Sequence, residues 1–187
     1  MEVGDFVSFD PRIQILDSGY IKGRHLDDKA SAAILLELIV EMLEGGPLPC
    51  ETHVFFSTYE EVGFGANSNI PSGVKEYLAV DMGAIGEGQS TDEHSVSICV
   101  KDSGGPYHYG FRNQLAALAE DEGIHYSLDI YPHYTSDATA AVLAGHDLIH
   151  GLIGPGVDAS HAFERTHTDA LQHTYRLLRC YLYSPVQ

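Results

Sequence analysis

The stretch from Asp28 to Leu43 constrains the fold more than any other part of this chain. Its apolar residues Ala32, Ala33, Leu35, Leu36, Ile39, Val40 and Leu43 recur at helical spacing, and Gly45-Gly46-Pro47 ends the run. Strand-like runs follow at His53 to Ser57, Tyr77 to Val80 and Ser95 to Val100, and a helix is expected from Phe111 to Glu122, stopped by Gly123. A strand near His125 to Tyr131, a helix near Asp137 to Ala144 and a strand near Leu148 to Ile153 come next. Thr168 is expected to cap a last helix carrying Leu171, Tyr175, Leu178 and Leu182. Strands alternating with helices predict an α/β domain, a three-layer αβα sandwich around a mixed, largely parallel sheet. Residues 1–20, with an alternating run at Val3 to Phe9 closed by Asp10-Pro11, read as a β-rich piece apart from the body at 21–187.

Composition excludes several partners. With 187 residues and 44% apolar content the chain can bury a sizeable core. The formal charge of −17 leaves no basic face for a phosphate backbone or an anionic membrane, so neither nucleic acid nor membrane is expected as a partner. Cys50, Cys99 and Cys180 are odd in number and widely spaced, which predicts structural thiols rather than a disulfide framework. A soluble protein of a reducing, cytoplasmic compartment is the expectation.

The chemistry is concentrated in acids that follow successive strands. Thr58-Tyr59-Glu60-Glu61-Val62-Gly63 places two carboxylates after an apolar run, where ligands bind in open α/β sheets. Leu26-Asp27-Asp28 places two more at the mouth of the first helix, where helix capping alone is a sufficient account of Asp28. Ala79-Val80-Asp81-Met82-Gly83 adds a fifth after the next strand. One carboxylate of an adjacent pair can ligate a divalent cation while its neighbour moves protons.

This ordering resembles the deblocking and glutamyl aminopeptidases of metallopeptidase family 42, which form tetrahedral assemblies. Supporting motifs are Gly4-Asp5-Phe6-Val7, similar to the last strand of that family's inserted dimerisation domain, Lys101-Asp102-Ser103-Gly104 through Ala116 to Ile124, similar to the family helix that leads into the next strand, and Thr135-Ser136-Asp137-Ala138, similar to its Gly-Thr-Asp-Ala turn. The resemblance implies a dinuclear site with Asp27 bridging two metals, Asp28 supporting it from behind, Glu60 as general base, and Glu61 and Asp81 each ligating one metal. It implies a histidine ligand before the last helix. His161 is preferred over the alternative His167, because His161 and Glu164 resemble the family's His-Ser-Pro-x-Glu element. Glu164 is expected to orient the ligand, and His133 and His108 to border the cleft.

Zinc, cobalt or manganese suits these donors, up to two per chain, with a peptide as substrate and homo-oligomerisation as an option. The family's His-x-Asp motif has no counterpart that fits, since Asp27 cannot readily serve both alignments. A one-metal site is therefore an option beside the dinuclear one, and little or no aminopeptidase activity is expected. An aminopeptidase, a non-catalytic protein that binds metal or peptide, and a related amidohydrolase or deacylase stay open as readings.

Overall fold

A computed structural model describes residues 1–184. Two short strands, β1 (Gln14–Ile15) and β2 (Tyr20–Gly23), lead into helix α1 (Leu26–Glu44). Then come β3 (Glu76–Val80), β4 (Gly83–Ala84), β5 (Val96–Asp102) and β6 (Gly105–Pro106). Helix α2 (Tyr109–Asp121), strand β7 (Tyr126–Tyr131) and helix α3 (Asp137–Leu143) follow. Strands β8 (Ile149–Val157) and β9 (Glu164–His167) and helix α4 (Thr168–Tyr183) complete the order.

The main sheet is mixed, as expected. Strand β8 runs parallel to β3 and β4 on one side and antiparallel to β5 on the other, and β5 runs parallel to β7. Alternation along the strands splits the core in two. Ile98 and Ile153 pack with Ile34 and Leu38 of α1, Phe111 and Leu115 of α2, and Leu177 and Leu178 of α4. Cys99 and Leu152 face the opposite side, with Tyr107, Tyr131 and Ala138 of α3. Helices therefore cover both faces, which is the expected three-layer sandwich. A smaller antiparallel sheet, β1-β2-β9, stands beside it.

Four local expectations need correction. Val3 to Phe9 forms no strand, because its backbone meets no partner and its side chains are exposed. His53 to Ser57 also stays unpaired, with Phe55 and Phe56 half exposed: the apolar run is present, but among the described residues no strand lies alongside to complete a ladder. In α1 the core face is Ala30, Ile34 and Leu38, whereas Leu36, Val40 and Leu43 point outward, since apolar residues surround this helix and period alone did not choose a face. At the start of α4 the cap is His167 rather than Thr168, its Nδ1 accepting the Asp169 amide at 3.1 Å. Among the described residues no helix is long and apolar enough to cross a membrane.

Candidate metal centre

Long-range pairing brings the separated acids together. Strand β2 pairs with β9 in a register that sets Gly23 opposite Glu164 and Tyr20 opposite His167. The buried Glu164 carboxylate thereby reaches the loop after β2, where one oxygen accepts the amides of Leu26 and Asp27. Its other oxygen accepts the His161 amide at 3.1 Å. One buried side chain thus fixes the backbone of the first acidic pair and of the histidine together, which gives the expected orienting role of Glu164 a definite geometry.

The opening of α1 is not helical. Asp27 (φ −85°, ψ 103°) and Asp28 (φ −122°, ψ 43°) are extended or bent, and the peptide bond between them is cis. His25, Ala159 and His161 around them take positive φ, which is uncommon for residues with a Cβ and concentrates at functional sites. Asp81 follows β3 and lies beside β8, where Gly154 is obligatory: a Cβ there would meet the Asp81 carbonyl oxygen at 1.7 Å. Glu60 and Glu61 lie on a single 3-10 turn closed on the Tyr59 carbonyl, which accepts the amides of Phe64 at 3.0 Å and Gly65 at 3.1 Å. That turn lets adjacent residues, which would diverge on a strand, face one cleft.

The cleft encloses about 160 Å³ and is lined by Asp27, Glu60, Glu61, Asp81, His133 and His161, among others. His161 Nε2 lies 3.3 Å from Asp27 Oδ2 and 3.1 Å from Glu61 Oε2, and Ser160 Oγ donates to Asp27 Oδ2 at 2.6 Å. Asp27, Glu61 and His161 form one group whose ligand atoms lie within 4.8 Å of one another; Asp27, Asp28 and Asp81 form another. His167 belongs to neither, and lies instead with His94 and Asp169. His133 does line the cleft, whereas His108 caps α2, accepting the Phe111 amide at 3.2 Å.

Electrostatics sharpen the picture. Burial, followed by the carboxylates of Asp28, Asp27 and Glu60, pushes Asp81 well above the usual carboxylate range. Burial also pushes Asp28 up, and Asp27 adds to it. One Asp28 oxygen is enclosed with no hydrogen-bond partner. Glu60 is pushed up to about 7 by burial, then by the Asp137 and Glu61 carboxylates, and Glu61 is raised by burial and by Asp27. Among the described residues no Lys or Arg forms an ion pair with any of these acids. Crowded carboxylates with an orphaned buried oxygen, a facing histidine and, among the described residues, no Lys or Arg partner fit a divalent cation, which would supply the missing charge.

Sequence reasoning passed over three residues here. Ser160 was detectable only as the neighbour of His161. Asp137 was quoted in a turn motif but not as a neighbour of Glu60. Asp102, which also lines the cleft, was quoted in a motif but not as a site residue.

A family model and a curated relative point to one family. The family model described as M42 glutamyl aminopeptidase matches residues 1–177. A Bacillus subtilis (strain 168) protein named "Putative aminopeptidase YhfE" is 64% identical over 185 residues, covering 98% of this chain and 54% of the relative. The chain thus spans about half the length of the curated relative it matches. Among solved structures, the Pyrococcus horikoshii TET1 peptidase, described as able to assemble into a tetrahedron or a large octahedral shell, superposes with a TM-score of 0.77 at 19% identity, covering 94% of this chain and 54% of that one. The aminopeptidase APDkam598 from the archaeon Desulfurococcus kamchatkensis gives 0.75 at 20% identity, covering 94% and 52%. At these identities the two structures speak to fold alone.

Proposed function

The chain belongs to the M42 glutamyl aminopeptidase family, and from that premise we propose that its acidic cleft hydrolyses amino-terminal residues from peptides with divalent metal ions. The observation that carries this reading is the convergence of Asp27, Asp28, Glu60, Glu61, Asp81 and His161 around one cleft, where among the described residues no Lys or Arg forms an ion pair with these acids. Asp27, Glu61 and His161 would hold one cation, and Asp27 and Asp81, supported by Asp28, a second, with zinc, cobalt or manganese all suited to the donors. Such cations, when bound, lower the pKa of a water and offset negative charge developing on the scissile carbonyl oxygen.

The chain's own groups supply the rest. Glu60 ligates nothing in this assignment and sits near neutrality, so its carboxylate can take a proton from the attacking water and return it to the leaving amine. Glu164 and Ser160 hold Asp27 and His161 in place. Assembly into homo-oligomers, as described for the Pyrococcus horikoshii relative, is part of the proposal.

Paired substitutions test the assignment. Glu60→Gln is expected to lower aminoacyl-anilide turnover by ~10²–10⁴-fold with metal content nearly unchanged, whereas Glu61→Gln lowers both. Equal metal loss in the two variants overturns the division of labour.

A second reading, metal and peptide binding without turnover, is favoured by one observation: the group Asp27, Asp28 and Asp81 contains carboxylates only, while the other includes a histidine. One cation per purified chain and no turnover would establish it.

A further inference from the structure

His94, His167 and Asp169 lie on three neighbouring pieces of chain, the loop before β5, the end of β9 and the first turn of α4, and none of them lines the acidic cleft. We propose that these three residues form a second, separate metal site, one that selects a borderline ion such as Zn²⁺ and staples the β1–β2 turn, the loop before β5 and the start of α4 together.

His167 Nε2 lies 2.9 Å from the Ser18 carbonyl, which can only accept, so Nε2 carries the hydrogen. Its Nδ1 accepts the Asp169 amide and therefore bears the lone pair, yet that same Nδ1 lies 3.1 Å from Asp169 Oδ2, another acceptor. His94 Nδ1 approaches the same carboxylate oxygen at 3.0 Å. One oxygen thus faces two imidazole nitrogens. The three ligand atoms lie within 4.8 Å of one another, and the two 3.0–3.1 Å contacts need to open by only a few tenths of an ångström to reach the ~3.3–3.6 Å ligand spacing of a tetrahedral ion with bonds of ~2.0–2.2 Å. Bonding to Nδ1 of His167 would replace its contact with the Asp169 amide.

Further contacts fix the two rings in place. The far nitrogen of each imidazole is held, His167 by Ser18 and His94 by the Tyr20 hydroxyl at 3.2 Å, which is how metal-binding histidines are oriented. Gly19, at φ +89°, packs so closely on the ring that a Cβ would meet His167 Nε2 at 2.3 Å. The two rings lie 4.2 Å apart. One turn further along α4, His173 shares the face of Asp169, and its enclosed Nδ1 has no hydrogen-bond partner. Two imidazoles and one carboxylate suit Zn²⁺, Co²⁺, Ni²⁺ or Cu²⁺ rather than Ca²⁺ or Mg²⁺, which prefer all-oxygen shells.

The test is a Zn²⁺ titration of the metal-free chain by calorimetry, with His94→Gln and His161→Gln alongside. The expected result is that His94→Gln loses one equivalent of zinc while His161→Gln, altered in the acidic cleft, retains it. In ¹⁵N-labelled His161→Gln, Zn²⁺ is expected to shift the Nδ1 resonances of His94 and His167, a readout that stands if His94→Gln fails to fold. Unchanged zinc stoichiometry in a folded His94→Gln variant, or Nδ1 resonances that stay put at saturating zinc, overturns the proposal. Neither result bears on whether the acidic cleft hydrolyses peptides.

Discussion

Two sets of buried carboxylates lie within this domain, and they are satisfied in opposite ways. Asp102 accepts the amides of Gly104 and Gly105 at 2.8 and 3.1 Å, the Tyr107 hydroxyl at 2.8 Å and the Thr139 hydroxyl at 2.5 Å. Asp129 likewise accepts the Ser90 and Thr91 amides at 2.8 and 2.9 Å and the Thr91 hydroxyl at 2.8 Å. Asp81, by contrast, receives the Met82 amide at 2.7 Å and faces Asp27, Asp28 and Glu60, while Asp28 has an orphaned oxygen. Burial is similar, but the supply of donors is not. A carboxylate ringed by donors is a structural anchor, whereas one ringed by other carboxylates needs a cation from outside.

The largest expected effect comes from breaking the satisfied set. Asp102→Ala strands two amides and two hydroxyls in the core and should destabilise the domain by ~3 kcal/mol or more, read as a drop in chemical-denaturation midpoint. A loss below about 1 kcal/mol would show that the anchor is not what holds β5, β6 and α3 together.

Supplying the missing charge should act nearly as strongly on the other set. Mn²⁺, which the two-histidine group does not favour, should at 100 times its dissociation constant stabilise the chain by ~2.7 kcal/mol, and most of the gain should vanish in His161→Gln combined with Asp81→Asn. An undiminished gain in that double variant would place the binding outside the cleft.

Without metal, Asp81→Asn should stabilise, by an amount on the order of 1 kcal/mol, because it removes a charge that burial and three neighbouring acids disfavour. The corresponding Asp102→Asn should destabilise. Opposite signs for these two aspartates would sharpen the comparison, and the same sign would end it.

The subtlest test uses pH on the chelator-treated chain. Asp28, Asp81 and Glu60 are raised in the folded state, so each binds a proton in the fold at pH values where the unfolded chain has lost it. Their stabilising contribution is complete below about pH 4, the unfolded carboxylate range, and for Glu60 is lost as pH rises through about 7. The melting temperature should therefore fall between pH 5 and 8, and added cation should flatten or invert that slope. A rise over this interval in the chelated chain would contradict the raised positions.

Much of this molecule was legible along the chain because helix and strand periods are local. The runs that became α1, α2, α4, β3, β5 and β7 announced themselves by spacing, and Asp81 by its place after an apolar strand. What failed was whatever required a partner. His53 to Ser57 has the residues of a strand, but a ladder needs a neighbour with free amides and carbonyls, and among the described residues none lies alongside. The outward turn of Leu36, Val40 and Leu43 was equally hidden, since a helix apolar on all sides does not say which face it buries.

For the candidate site the division runs the same way. Sequence alone determined which residues carry charge and in what order, and through the family resemblance it nominated Asp27, Glu60, Glu61, Asp81 and His161. Only tertiary structure decided that His161 faces Asp27 and Glu61 while His167, six residues on, faces Asp169. The physical reason is the β2–β9 register: it fixes Glu164 beneath the loop of Asp27 and His167 opposite Tyr20, a choice made by backbone hydrogen bonds between segments more than 130 residues apart, which no local pattern encodes.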